Sequence, residues 1–166
     1  MTRLMRESTN LNDIPIHGTD LVAGYVNGSG AASQEDFARF HGIPHVHIDV
    51  LGTAPAEAGV LDFETGNPST PEMCVTWAKQ RRAALPNHYP PVIRCDRSHL
   101  TSVFNAMNAA GLEIVKDFRL WIMTLDGTKT VADMTGVTAV MFAGETMTGG
   151  HYDESIVFDD DWHRSP

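Results

Sequence analysis

"GVLDFETGNPSTPEM", residues 59–73, is the stretch on which the reading of this chain turns. A short apolar run carries two acids one residue apart, Asp62 and Glu64, then breaks into Gly, Asn, Pro, Ser and Thr. Side chains alternate across a strand, so Leu61 and Phe63 share one face while Asp62 and Glu64 share the other. Thr70 can cap the helix that follows, with Pro71 at its first position and Glu72 in its first turn. The stretch therefore reads as strand, turn and helix, with two carboxyls at the strand's C-terminal end.

The same rhythm recurs along the chain. Apolar runs at 3–8, 21–28, 45–50, 59–64, 91–96, 119–126, 138–144 and 152–158 give eight strand candidates, several of them rich in Val and Ile. The spacing predicts helices over 70–85 and over 98–111, the latter with Ser98 as cap, a Leu100/Val103/Phe104/Met107 stripe and Gly111 to close it. A shorter helix is expected over 33–40. Strand-helix-strand order favours parallel pairing, because parallel neighbours need a crossover. Eight strands with interposed helices predict an α/β fold, a small (β/α)8-type TIM-like barrel. Since 166 residues fall below the usual length, some crossovers must be short or be loops, 127–137 among them. Half-exposed strands of an antiparallel sheet are the competing reading, and it leaves the helices unexplained.

The barrel reading assigns faces. On 45–50, Val46, Ile48 and Val50 oppose His45, His47 and Asp49; on the second strand Tyr25 and Asn27 oppose Val26. Three successive strands thus pair an apolar face with one that turns polar toward the C-terminal end, where barrel enzymes assemble their sites.

Bulk properties narrow the classes. A hydrophobic content of 42% in 166 residues supports one domain, 1–166. A net charge of −9 without a basic block argues against nucleic acid or anionic lipid as partner. Cys74 and Cys95 lack a motif and are expected to be free core thiols. No apolar run reaches membrane-spanning length, and "MTRLMRESTN" lacks the apolar segment of a signal peptide. The expectation is a product made in the cytoplasm without a leader, released by other means if it acts outside, as a phage-encoded protein is at lysis or in the virion.

"VLDFETG" resembles the Asp-x-Glu strand end of the family-25 glycoside hydrolases, the lysozyme-like muramidases, and of related domains in actinobacterial and phage proteins. "STN" near the start, "AGYVNG", "LWIMTLDG" and "MFAGETMTGGHYDESIVFDDDW" are similar to further strands of that family in order and spacing. The resemblance implies a cofactor-independent glycosidase acting on bacterial cell-wall peptidoglycan. It implies Glu64 as general acid, Asp62 as assisting carboxylate and Asp153 as a third carboxylate from the last strand. Glu7, Tyr25, Asn27, Asp49 and Asp126 would contact the glycan. Such chemistry needs carboxyls in different protonation states, and acids two residues apart, with Cα atoms roughly 6.5 Å apart, supply them in a partly dry cleft. Two solvated loop carboxylates are the plainer reading of the pair. The sequence also departs from the family: Glu7 stands where an Asp is usual, and Met141 and Phe142 where Gln-Tyr is usual.

Two other classes compete. His45, His47 and Asp49 on one strand face could seat a divalent metal, zinc best, in a metal-dependent hydrolase; satisfied barrel-interior polar groups are the plainer reading. A glycoside-hydrolase-like barrel with altered strand tips could also be a non-catalytic glycan-binding module or a structural part of a phage particle. Trp162 is expected to pack the chain's end onto the barrel.

Overall fold

The computed structural model describes residues 2–64, 70–159 and 161–162. Eight strands close into a barrel in sequence order: β1 (Arg3–Glu7), β2 (Leu21–Tyr25), β3 (His45–Asp49), β4 (Val60–Phe63), β5 (Val92–Asp96), β6 (Arg119–Met123), β7 (Val137–Ala143) and β8 (Asp153–Val157). Pairing is parallel from β1 through β7, whereas β8 runs antiparallel to both β7 and β1. The reason is length. Residues 144–152 hold only the four-residue helix α4 (Glu145–Thr148), so the chain turns back at the C-terminal end instead of crossing to the other.

Two clusters divide the buried side chains by face. Met5, Leu21, Ala23, Val46, Ile48, Val60, Val92, Trp121, Met123, Ala139, Met141 and Val157 fill the barrel, and buried Trp162 packs edge-on to Trp121 at 5.4 Å. Leu61, Phe63, Ile93, Cys95, Leu120, Ile122 and Val140 face outward against Cys74, Trp77, Ala78, Val103 and Met107 of the helices. The alternation expected for 59–64 therefore holds, with the acids inward and the large apolar residues beneath α2 (Pro71–Ala84).

On β3 the expected parity is reversed. Val46 and Ile48 are in register with inward Ala23 and Tyr25, which turns His45, His47 and Asp49 to the outer wall. A barrel this narrow packs its middle with apolar side chains, and the two imidazoles instead lie against Phe37, at centroid distances of 5.0 and 4.8 Å.

Thr70 caps α2 by accepting from the Met73 amide at 3.3 Å, as expected. A Ser33–Asp36 capping box opens α1 (Gln34–Ala38). Phe37 reaches the wall because a Cβ at Gly24 would lie 2.9 Å from its ring. The third helix, α3 (Leu100–Ala109), closes through Gly111 at φ +74, but its cap is His99, since the Ser98 hydroxyl bonds Asp96 at 2.6 Å. The β3–β4 and β6–β7 connections, 50–59 and 124–136, hold no helix, in keeping with a shortened barrel. Among the described residues no helix is long and apolar enough to cross a membrane.

Candidate active site

The C-terminal mouth of the barrel is organised around a cation. Arg94, inward on β5 and only 3% exposed, pairs through Nη1 with Glu7 Oε1 from β1 and through Nε with Asp62 Oδ1 of β4, the latter at 3.0 Å. Its Nη2 donates to the Tyr25 hydroxyl at 3.2 Å and reaches Glu64 Oε1 at 3.5 Å. Trp121 lies 5.2 Å and Tyr25 5.8 Å from its guanidinium carbon, so aromatic rings flank the charge. Burial alone would favour loss of that charge, and the carboxylates of Glu7 and Asp62 more than offset it.

The acids around it differ sharply in exposure. Side chains of Glu7 and Asp62 are 3% and 1% exposed, whereas that of Glu64 is 38% exposed. Burial pushes the Asp62 carboxyl up to about 7 despite Arg94, with the charges of Glu64 and Glu7 and a hydrogen bond to Glu64 acting in the same direction. Asp153, opposite Glu7 in the β1–β8 register, is raised to about 6, first by burial and then by Glu7. Tyr25 donates to Glu7 Oε1 at 2.6 Å, and burial together with the Glu7 charge drives its phenol upward. The longer arm of Glu7 thus ends between Tyr25 and Arg94, while its Oε2 is buried without a hydrogen-bond partner among the described residues.

Beside these groups lies a hollow of about 200 Å³, with Thr9, Tyr25, Asn27, Ser29, Asp62 and Glu64 in its wall. The structure brings Glu64, Asp62, Asp153, Glu7 and Tyr25 to one mouth, and Asn27 to its wall. Other expected site residues lie elsewhere. Asp49 points outward, and its carboxylate accepts from Asn27 at 2.7 Å, from Trp77 Nε1 at 2.8 Å and from the amides of residues 51–54. Burial opposes that charge, but these donors hold the carboxyl below its usual range. Asp126 sits beyond β6, about half exposed, 3.3 Å from Arg97 and bonded to the Thr128 amide. His45 and His47 border a separate outer hollow of about 560 Å³ between α1 and the β3–β4 connection. They are therefore not at the barrel mouth, and among the described residues no three His, Cys, Asp or Glu side chains are grouped to hold a metal. Residues 65–69 of the opening stretch lie outside the described residues.

Sequence reading overlooked Arg94, although a signal existed. In "VIRCD" the apolar Ile93 and Cys95 belong under the helices, and the same alternation sends Arg94 and Asp96 inward. A charged residue in mid-strand facing the inside of a barrel requires a counter-charge, which the acids provide.

The barrel is closed by eight strands, and carboxyls from β1, from β4 and its C-terminal end and from β8 gather at its C-terminal mouth. The chain superposes on a family 25 glycosyl hydrolase from Bacillus anthracis with a TM-score of 0.59 at 12% identity, covering 98% of this chain and 92% of that one. It matches the spore cortex lytic enzyme SleM of Clostridium perfringens at 0.60 and 13%, covering 95% and 67%. It matches a muramidase from Acremonium alcalophilum at 0.55 and 14%, covering 96% and 94%. The fold is that of the family 25 glycosyl hydrolases and muramidases. No family model and no curated protein matches the sequence.

Proposed function

We propose that this protein is a glycoside hydrolase acting on bacterial peptidoglycan by muramidase-type cleavage. The observation that carries the reading is the convergence of Glu7, Asp62, Glu64 and Asp153 at the barrel mouth beside a hollow, with Glu64 far more exposed than Glu7 and Asp62. Glu64 is the general acid and Asp62 the assisting carboxylate, with Asp153 the third carboxylate.

One proton serves the pair. Before substrate binds, burial keeps it on Asp62, which is hydrogen-bonded to Glu64. When a sugar binds, the proton passes from Asp62 to Glu64 along the hydrogen bond that joins them. Glu64 then protonates the leaving glycosidic oxygen as the bond to the anomeric carbon breaks. Asp62, now ionised, supports the positive charge at that carbon, directly or by polarising a neighbouring acetamido group. Water attacks next and returns its proton to Glu64. Tyr25 and Asn27, in the wall of the hollow, contact the glycan.

The buried pairing of Arg94 with Glu7 and Asp62 favours a second reading, a glycan-binding or assembly module in which the acids are structural. Turbidity of a purified cell-wall suspension separates the two. Wild type is expected to clear it and Glu64→Gln to lose about 10²- to 10⁴-fold in rate, with an unchanged melting curve because Glu64 is part-exposed. Binding of the wall without clearing by wild type would establish the module instead.

A further inference from the structure

We infer that Arg94 is a positioning residue of the acid site: its single guanidinium fixes Glu7, Asp62 and Tyr25 in place and leaves Glu64 as the carboxylate free to meet the glycan. The inference rests on the glycosidase reading for its consequence in catalysis, and on geometry alone for the positioning itself.

The contacts grade the three acids. Glu7 and Asp62 are held closely, with nitrogen on carboxylate oxygen and almost no exposure, whereas Glu64 lies at the 3.5 Å end of the same fork and is 38% exposed. Tyr25 links the two held sides, donating to Glu7 while accepting from Arg94. No smaller cation could do this. The two terminal nitrogens of a planar guanidinium donate to Glu7 and Tyr25 while Nε rests 3.0 Å from Asp62 as an ion-pair contact without hydrogen-bond alignment, whereas an ammonium is a point charge on a flexible stem. Arg94 itself is too deeply buried to bind substrate, and Trp121 and Tyr25 flank its charge.

The charged and titratable groups that face it are Glu7 from β1, Tyr25 from β2, Asp62 from β4 and Glu64 just past its end, and Asp153 from β8. Strands β3, β6 and β7 bring Ile48, Trp121 and Met141 to the interior. Four carboxyls and one phenol thus share one cation. Without it the neutral, protonated form of Asp62 is favoured. Asp62, which Arg94 draws downward, would bind its proton more tightly still. A protonated Asp62 cannot support positive charge, so the loss falls on the chemical step more than on glycan binding.

The test compares wild type, Arg94→Lys and Arg94→Gln as full chains. Folding is followed by melting curves, carboxyl titrations by ¹³C NMR, and the pH profile of wall clearing by turbidity. Arg94→Gln should move the Asp62 titration upward by about one pH unit or more, and Arg94→Lys, which keeps the charge and loses the fork, should move it upward by less. They should lower kcat by about 10²-fold while changing KM by less than about threefold. Arg94→Lys keeps a charge and, if Arg94→Gln does not fold, carries the same readouts alone. Unmoved titrations in a folded variant overturn the inference, as does unchanged kcat in a protein that clears cell wall. Failure of both variants to fold assigns Arg94 to stability alone and overturns it as well. If wild type clears no wall, the glycosidase reading falls while the titrations still decide whether Arg94 positions the acids.

Discussion

Asp62 binds its proton far more tightly in the folded chain than outside it. Burial holds its carboxyl at about 7, against about 4 in an unfolded chain. Between those values the fold carries a proton that the unfolded chain has released. Stability from this group is therefore complete below about pH 4 and is lost as pH rises toward about 7. Asp153, raised to about 6, acts in the same sense over a narrower window. Asp96 acts in the opposite sense: although burial opposes its charge, hydrogen bonds from Ser98 and His99 lower it to about 2, so its contribution disappears as pH falls below roughly 4. Melting temperature should consequently peak in the acid range and decline toward neutrality. Asp62→Asn should flatten that decline, leaving the share of Asp153, and calorimetry between pH 4 and 8 on the two proteins checks it. A decline of equal slope in both would remove Asp62 as its source.

At the scale of elements, Asp49 organises the β3–β4 connection. Six hydrogen bonds converge on its two oxygens, including those from Trp77 on α2 and from Asn27 beyond β2. Asp49→Ala would leave buried donors unpaired, at a cost of about 3 kcal/mol or more. Wall clearing per folded molecule should stay within a few-fold of wild type at low temperature, measured by urea unfolding alongside turbidity. A large loss of kcat in the folded variant would return Asp49 to the site. The sequence displays this acid as one of a polar trio with His45 and His47, and alternation alone cannot say which face of a strand is the inside. For β4 the answer was legible, because Leu61 and Phe63 are bulky and the helix from Thr70 supplies an apolar surface to cover them. For β3 it was not. The histidines look like site residues, yet they pack on Phe37, and Val46 and Ile48 are needed to fill the barrel. Arg94 was legible by the rule that worked for β4. Asp126 lies past the end of its strand, where alternation carries no information.

For the whole molecule the question is what closes a barrel with so few helices around it. Antiparallel β8 seals the ring laterally by pairing with both β1 and β7. Its C-terminal continuation then folds Trp162 into the interior, buried against Trp121. Trp121 is also the ring nearest the Arg94 guanidinium, and it donates to Ser155 of β8 at 3.0 Å. The plug and the acid site thus share one side chain. Around it Tyr89 bonds Thr138 and Asp159 at 2.9 and 2.8 Å, and Arg119 pairs with Asp159 at 3.1 Å, holding the same end of the chain against the barrel. Trp162→Ala removes a large buried ring, for an expected loss of about 3–5 kcal/mol. A packing defect confined to the barrel interior would lower stability alone. If Trp121 moves into the vacated space, Arg94 loses the ring beside it and the mouth is disturbed as well. Trp162→Phe preserves an aromatic contact and should recover most of the stability. Urea unfolding of the three proteins, with the Asp62 titration followed in each, separates these outcomes. Destabilisation with an unmoved titration means the plug acts only on the fold, whereas a joint change recovered by Phe means barrel closure and the acid site are coupled through Trp121.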